Sequence, residues 1–170
     1  MYDARHFDTR QMGYSVWIPY AAAGIGSLTG GWYSSWLIRR GRSLNFSRKL
    51  ALGISAAVMP SILFVTQAPV SLAIVLFSIV FAGQQSWSTL VMILPADIFP
   101  RRVVGSVAGL VGFGGAMGGV VFGLVVGYLL DHGFGYGPVF GLVGSFHVLA
   151  FCVILMTVGV VRPIAVKPGE

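Results

Sequence analysis

Six adjacent residues, Gln84-Gln85-Ser86-Trp87-Ser88-Thr89, carry a concentrated set of side-chain donors and acceptors inside an otherwise apolar stretch. Each Gln offers an N–H₂ group and a carbonyl, and each hydroxyl both donates and accepts. Uncharged groups of this kind suit a hydroxylated solute. Their structural use would be interhelical hydrogen bonds of about 0.6–2 kcal/mol each. The remaining chemistry-bearing residues are scattered. His147 has Ser145 two residues away and no other titratable group in its stretch, which fits a hydrogen-bonded structural histidine better than a proton carrier. Asp131-His132 has no nucleophile or third group beside it. Cys152 is the single cysteine, so neither a disulfide framework nor a metal motif is present. Gly112-Phe113-Gly114-Gly115 has the look of a nucleotide-binding loop, but no strand precedes it. No cofactor, no metal and no enzymatic activity are expected.

The elements that hold these residues are long apolar runs. With 56% hydrophobic and 9% charged residues, a soluble domain of 170 residues could not cover its surface with polar groups. Charge-free runs extend over Gln11 to Ile38, Leu50 to Ala96, Val103 to Leu130 and His132 to Val161. About 20 apolar residues cross the hydrocarbon core as a helix. The second run is too long for one span and is divided at Gln67-Ala68-Pro69. The spacing therefore predicts an all-α membrane protein with five transmembrane helices, at about 17–38, 50–66, 70–94, 103–130 and 139–161, in one partial bundle covering residues 1–170. The runs do not alternate apolar and polar residues, as outer-membrane strands would.

Basic residues fall in alternate gaps: Arg39, Arg40, Arg42, Arg48 and Lys49 in the first, Arg101 and Arg102 in the third, Arg162 and Lys167 in the tail. Because Lys and Arg of short loops stay on the cytoplasmic side, these segments are expected inside and the N-terminal segment outside. Arg5 and Arg10 break the bias and are partly balanced by Asp3 and Asp8. The net charge of +6 is thus a topology device, and nucleic acid is not an expected partner. An odd number of spans beginning outside is the expectation for the back end of a longer chain.

Two helices are rich in small residues. In the first, Gly24, Gly26, Gly30 and Gly31 lie among alanines, Ser27 and Thr29. In the fourth, Gly115, Gly119, Gly123 and Gly127 recur at four-residue spacing, a ridge expected to pack closely against another helix, and to slide or rock. Pro60 should kink or soften the second span. Trp17 and Tyr20 at one end of the first helix, with Trp32, Tyr33 and Trp36 at the other, suit interfacial belts.

Gly30-Gly31-Trp32-Tyr33-Ser34-Ser35-Trp36-Leu37-Ile38-Arg39-Arg40-Gly41-Arg42-Ser43 resembles the cytoplasmic signature between helices 8 and 9 of the major facilitator superfamily. Asn45 and Arg48-Lys49 resemble its anion:cation symporter branch, and in particular bacterial hexuronate and galactonate transporters. Three further stretches agree. Ala4-Arg5-His6-Phe7 with Gln11-Met12-Gly13 resembles the segment leading into helix 8. Gln85-Ser86-Trp87-Ser88 resembles the helix 10 motif. Asp97-Ile98-Phe99-Pro100-Arg101-Arg102-Val103-Val104-Gly105-Ser106-Val107 resembles the loop opening helix 11. The resemblance implies helices 8 to 12 of a twelve-helix transporter working by alternating access. It further implies a sugar acid or related small organic anion as substrate, a proton as coupling ion, and a bacterial cytoplasmic membrane with the C-terminus inside. Gln85, Trp87 and Ser88 would line the cavity, with the Trp stacked on a sugar face. Arg39, Arg40, Arg42, Arg101 and Arg102 would act at the inner gate. The carboxylate-pairing and proton-carrying residues would lie in an N-terminal half outside this chain. Gly24 stands where many relatives of that type carry an acid, and Leu90 where they carry an Asn, which leaves the anion open.

Overall fold

The structure, a computed structural model, describes residues 17–164. It is built of α1 (Trp17–Arg39), α2 (Leu44–Ala57), a 3-10 segment (Met59–Thr66), α3 (Val70–Ile98), α4 (Arg101–Asp131) and α5 (Tyr136–Thr157). The described residues contain no strand, and the expected all-α architecture holds. Four units are long and apolar enough to cross a membrane: Leu44–Thr66, Val70–Ile98, Arg101–Asp131 and Tyr136–Thr157. α1 has 23 residues, about 35 Å at 1.5 Å per residue, which is sufficient length. Its glycines, serines and threonine lower its hydropathy and keep it out of that group of four.

Helix boundaries depart from the expected ones for local reasons. α2 begins at Leu44 rather than near Leu50, because the Ser43 hydroxyl caps the helix by accepting from the Phe46 amide at 3.2 Å. Arg48 and Lys49 therefore lie inside a helix and not in a loop. Pro60 has no N–H to continue the α ladder, and around it the chain tightens into the 3-10 segment that completes the second span. α3 runs on past Leu94, through Pro95, to Ile98. α5 ends at Thr157, so Val158–Val161, expected in the last helix, carry no regular secondary structure. Gly41, at φ +80°, turns α1 into α2 within a few residues.

α1 makes its most extensive contact with α3. Its buried residues, Ala23, Gly26, Gly30, Ser34 and Leu37, form one stripe at helical spacing. A Cβ on Gly26 would run into the backbone of Ala82, and one on Gly30 into the Ser86 side chain. The two backbones can approach this closely only because those side chains are missing. Across the seam Ser27 and Thr89 hydroxyls meet at 2.9 Å, and Tyr20 meets Phe81 edge-on at 5.4 Å between centroids.

Two apolar clusters complete the interior. Ala51, Leu52, Leu90, Leu94 and Val161 fill one end, and Met59, Ile62, Val65, Ala73 and Val80 the other, with Phe77 and Phe140 against the second. α4 differs from the rest. It has no buried residue and makes only sparse contact with α3 and α5. At Gly115, Gly119, Gly123 and Gly127 an added Cβ would meet nothing within 4 Å. The ridge expected to pack a helix closely thus packs against none of the described residues. Leu110, Phe113, Leu124 and Tyr128 leave α4 apolar on its outside, as a lipid or protein neighbour requires.

Gly26→Ala should lower the stability of this chain by about 1–3 kcal/mol, since the new methyl overlaps backbone that cannot rotate away. Gly119→Ala should leave stability unchanged or raise it by up to about 1 kcal/mol through helix propensity alone. Thermal unfolding of both variants in the same detergent distinguishes the two; equal losses would remove the assigned seam.

Candidate functional site

The seam between α1 and α3 divides the polar cluster of α3. Ser86 and Thr89 turn toward the neighbouring helices, where Ser86 meets the Ser55 hydroxyl of α2 at 2.8 Å and Thr89 meets Ser27 of α1. Gly83 and Leu90 are buried on the adjoining side, toward α2 and the core; at Gly83 a Cβ would crowd Val58 and Met59. What is left is an exposed polar face of Gln84, Gln85 and Ser88. The amides and hydroxyl there can bind hydroxyl or carboxylate oxygens by donation and hydroxyl protons by acceptance. The structural use is realised by Ser86 and Thr89, which tie helices together, while Gln84, Gln85 and Ser88 are left open.

Trp87 is not on that face. It is half-buried and points toward α5, its ring edge-on to His147 with centroids 5.4 Å apart and planes at 79°. The two rings border a cavity of ≈ 710 Å³ between α3, α4 and α5, otherwise lined by apolar side chains and glycines such as Met117, Phe122 and Phe146. The structure therefore brings Gln85 and Ser88 together and sets Trp87 beside a separate apolar space. Leu90 is fully buried in the core, so that substitution does not change the exposed polar face. Gly24 has nothing within 4 Å of its would-be Cβ.

One end of the bundle collects the basic residues. Arg39 and Arg40 close α1, Arg42 lies in the turn, and Arg101 and Arg102 open α4, all exposed. Arg40 lies over the Trp36 ring at 4.4 Å, within cation–π reach, and Arg42 over Phe46 at 5.9 Å. The tightest charge contact at this end lies elsewhere. Arg48, 7% exposed, donates from Nε to Asp97 Oδ2 at 2.6 Å and from Nη2 to Oδ1 at 3.2 Å. Its Nη1 donates to Ser34 Oγ, fully buried, at 2.9 Å. One guanidinium thereby joins α1, α2 and α3 through a two-pronged carboxylate contact and a hydroxyl. The sequence alone puts Arg48 in a loop and gives Asp97 no partner. The available signal is that Asp97 is the one acid near this basic end among the described residues, and a carboxylate at a membrane boundary needs a cation.

Elsewhere, His132 Nδ1 lies 2.9 Å from the Tyr128 carbonyl of its own helix and its ring is 4.0 Å from that of Tyr128, which suits a local cap at the end of α4. Cys152 is exposed, and no group of three or more metal-ligating side chains occurs among the described residues. Ala4-Arg5-His6-Phe7, Gln11-Met12-Gly13 and Lys167 lie outside the described residues.

Asp97→Asn should cost about 3–5 kcal/mol, because it leaves the buried Arg48 charge without its counter-ion. Replacing both residues, as Arg48→Met with Asp97→Leu, should recover most of that loss. Unfolding curves of the single and double variants test this; equal destabilisation by both would show that the pair is not a coupled unit.

No protein-family model matches the chain. It is 29% identical over 154 residues to a D-galactonate transporter of Escherichia coli O6:H1, an alignment covering 88% of this chain and 35% of that protein. It is 29% identical over 160 residues to the hexuronate transporter of Escherichia coli K12, covering 91% and 36% respectively. A probable galactarate/D-glucarate transporter of the same strain is 26% identical over 165 residues, covering 97% of this chain and 37% of that protein. The chain thus spans little more than a third of the length of these relatives, which are transporters rather than enzymes. Along nearly all of its own length this multi-pass membrane chain is similar to bacterial sugar-acid transporters, in keeping with its resemblance to the anion:cation symporter branch of the major facilitator superfamily.

Proposed function

We propose that the chain forms helices 8 to 12 of a transporter that carries a small organic anion, a sugar acid, across the bacterial cytoplasmic membrane by proton-coupled alternating access. The observation that carries this reading is the exposed Gln84, Gln85 and Ser88 face midway along α3. Hydrocarbon cannot satisfy these groups, so a water-filled path or a facing helix must. Hydroxyl-rich anions are the cargo named for the relatives, and amide and hydroxyl side chains match such cargo. Gln85 and Ser88 are assigned to the solute. Trp87 is assigned to the adjoining wall against α5, a change from stacking on the sugar ring.

In this reading the basic end faces the cytoplasm, as does the C-terminus. Arg39, Arg40, Arg42, Arg101 and Arg102 stand at the inner gate, exposed at the end of the bundle where contacts change as the two halves rock. The N-terminal half supplies the opposing wall of the path and the groups that pair the carboxylate and carry the proton. The second reading is a small membrane interaction protein that transports nothing and associates through α4. Its support is the open ridge of Gly115, Gly119, Gly123 and Gly127.

Vesicles holding the longer protein that contains this chain should accumulate labelled galactonate or glucuronate under an inward proton gradient. Gln85→Ala should reduce that uptake by about three- to tenfold, the loss of one or two neutral hydrogen bonds. Undiminished uptake by the variant would remove α3 from the path. Uptake insensitive to the gradient would remove the proton.

A further inference from the structure

After α5 the chain does not leave the bundle. Residues 158–164, with no regular secondary structure, run across α2 and α3 at the basic end of the bundle. Asn45 Oδ1 accepts from the Val161 amide at 2.9 Å, Lys49 Nζ donates to the Gly159 carbonyl at 2.8 Å, and the Ile164 amide donates to the Ile98 carbonyl at 2.8 Å. Between these ties Val161, 3% exposed, enters the cluster of Ala51 and Leu52 of α2 with Leu90 and Leu94 of α3. Asn45, Lys49 and Leu52 share the side of α2 that also carries Arg48, and Ile98 follows Asp97 on α3. The segment and the Arg48–Asp97 pair therefore tie the same two helices at the same end.

The attachment is light. Val160 and Ile164 remain more than half exposed, so Val161 is the one side chain of this segment that is fully inserted. Gly159 gives a flexible approach, and Pro163 has no N–H to add a further tie. We propose that residues 158–164 are a releasable strap: docked, it holds the basic ends of α2 and α3 together, and undocked, it opens a groove lined by Ala51, Leu52, Leu90 and Leu94. A strap of this kind closes the bundle end without fixing it, and leaves the Arg48–Asp97 pair as the remaining tie when it lifts. The inference does not depend on what solute, if any, is carried.

The test is maleimide labelling of Leu94→Cys in a Cys152→Ser background, with the protein in detergent, where Leu94 lies beneath the docked strap. Labelling should be slow with the tail intact. It should rise about tenfold in Asn45→Ala, which removes one tie and no apolar contact, and further in Val161→Asp, as expected for a locally opening segment. Adding a synthetic peptide of residues 157–166 to a chain ended at Thr157 should slow its labelling again. A chain ended at Thr157 that labels no faster than the intact one would overturn the strap. So would Asn45→Ala labelling at the intact rate while its unfolding temperature is unchanged. Failure of sugar-acid uptake would bear only on the transport reading, since labelling needs no substrate.

Discussion

The close seating of α1 on α3 governs the rest of the arrangement. In a bilayer no hydrophobic force draws helices together, so contact depends on how near the backbones can come and on polar groups that find partners. Gly26 and Gly30 permit the approach, against Ala82 and Ser86, and the Ser27–Thr89 hydroxyl pair exploits it, while Ser55 of α2 meets Ser86 from the adjoining side. That seating fixes the rotation of α3 about its axis. Once Ala82, Ser86 and Thr89 are committed to one side and Gly83, Leu90 and Leu94 to the core, Gln84, Gln85 and Ser88 have only the open side left. The candidate solute face is therefore a consequence of two glycines on a different helix.

At the basic end, register is set by charge. Arg48 reaches Ser34 on α1 and Asp97 on α3 at once, so small displacements of any of the three helices break charged hydrogen bonds in a poorly solvated place. Such pairs add little net stability over an apolar replacement, but they penalise misalignment heavily. The exposed arginines of the same end are of another kind. Arg40 and Arg42 rest on Trp36 and Phe46 and stay open to solvent, as suits contacts that are made and broken. The difference between one buried arginine that joins three helices and exposed ones that rest on aromatic rings is visible only in three dimensions.

Much of the fold was legible in the sequence because hydrophobic length and the placement of Lys and Arg are one-dimensional signals. The helices, the turn at Gln67-Ala68-Pro69, and the break at Pro60 all follow from them. The misreadings came where tertiary contacts override local pattern. A charged pair was read as the loop before α2, yet Ser43 caps the helix ahead of it and Asp97 receives Arg48 inside. Val158–Val161 is as apolar as a helix end, yet it leaves the helix and Asn45 and the core cluster take up Val161. Of the candidate site, the polar cluster was legible as a group and its division was not. Nothing in the order of residues 84–89 says which of them faces α1. The same holds for glycine: α4 has the stronger repeat, but α1 makes the contact.

α4 is the part of the molecule whose surroundings lie outside it. A helix of 31 residues with no buried side chain, a row of open glycines and an apolar cavity at its flank is built to be covered. The same can be said of the amide face of α3, except that its chemistry calls for water or solute and not for lipid. Whether this face lines an aqueous path is decided by reacting single cysteines with a water-soluble maleimide in membranes of the cell that makes the protein. Gln85→Cys and Ser88→Cys should react and be shielded by added sugar acid, while Ala82→Cys and Val80→Cys should not react. Reaction at Ala82→Cys with silence at Gln85→Cys would show that the amide face meets no water and that the α1–α3 seam is open.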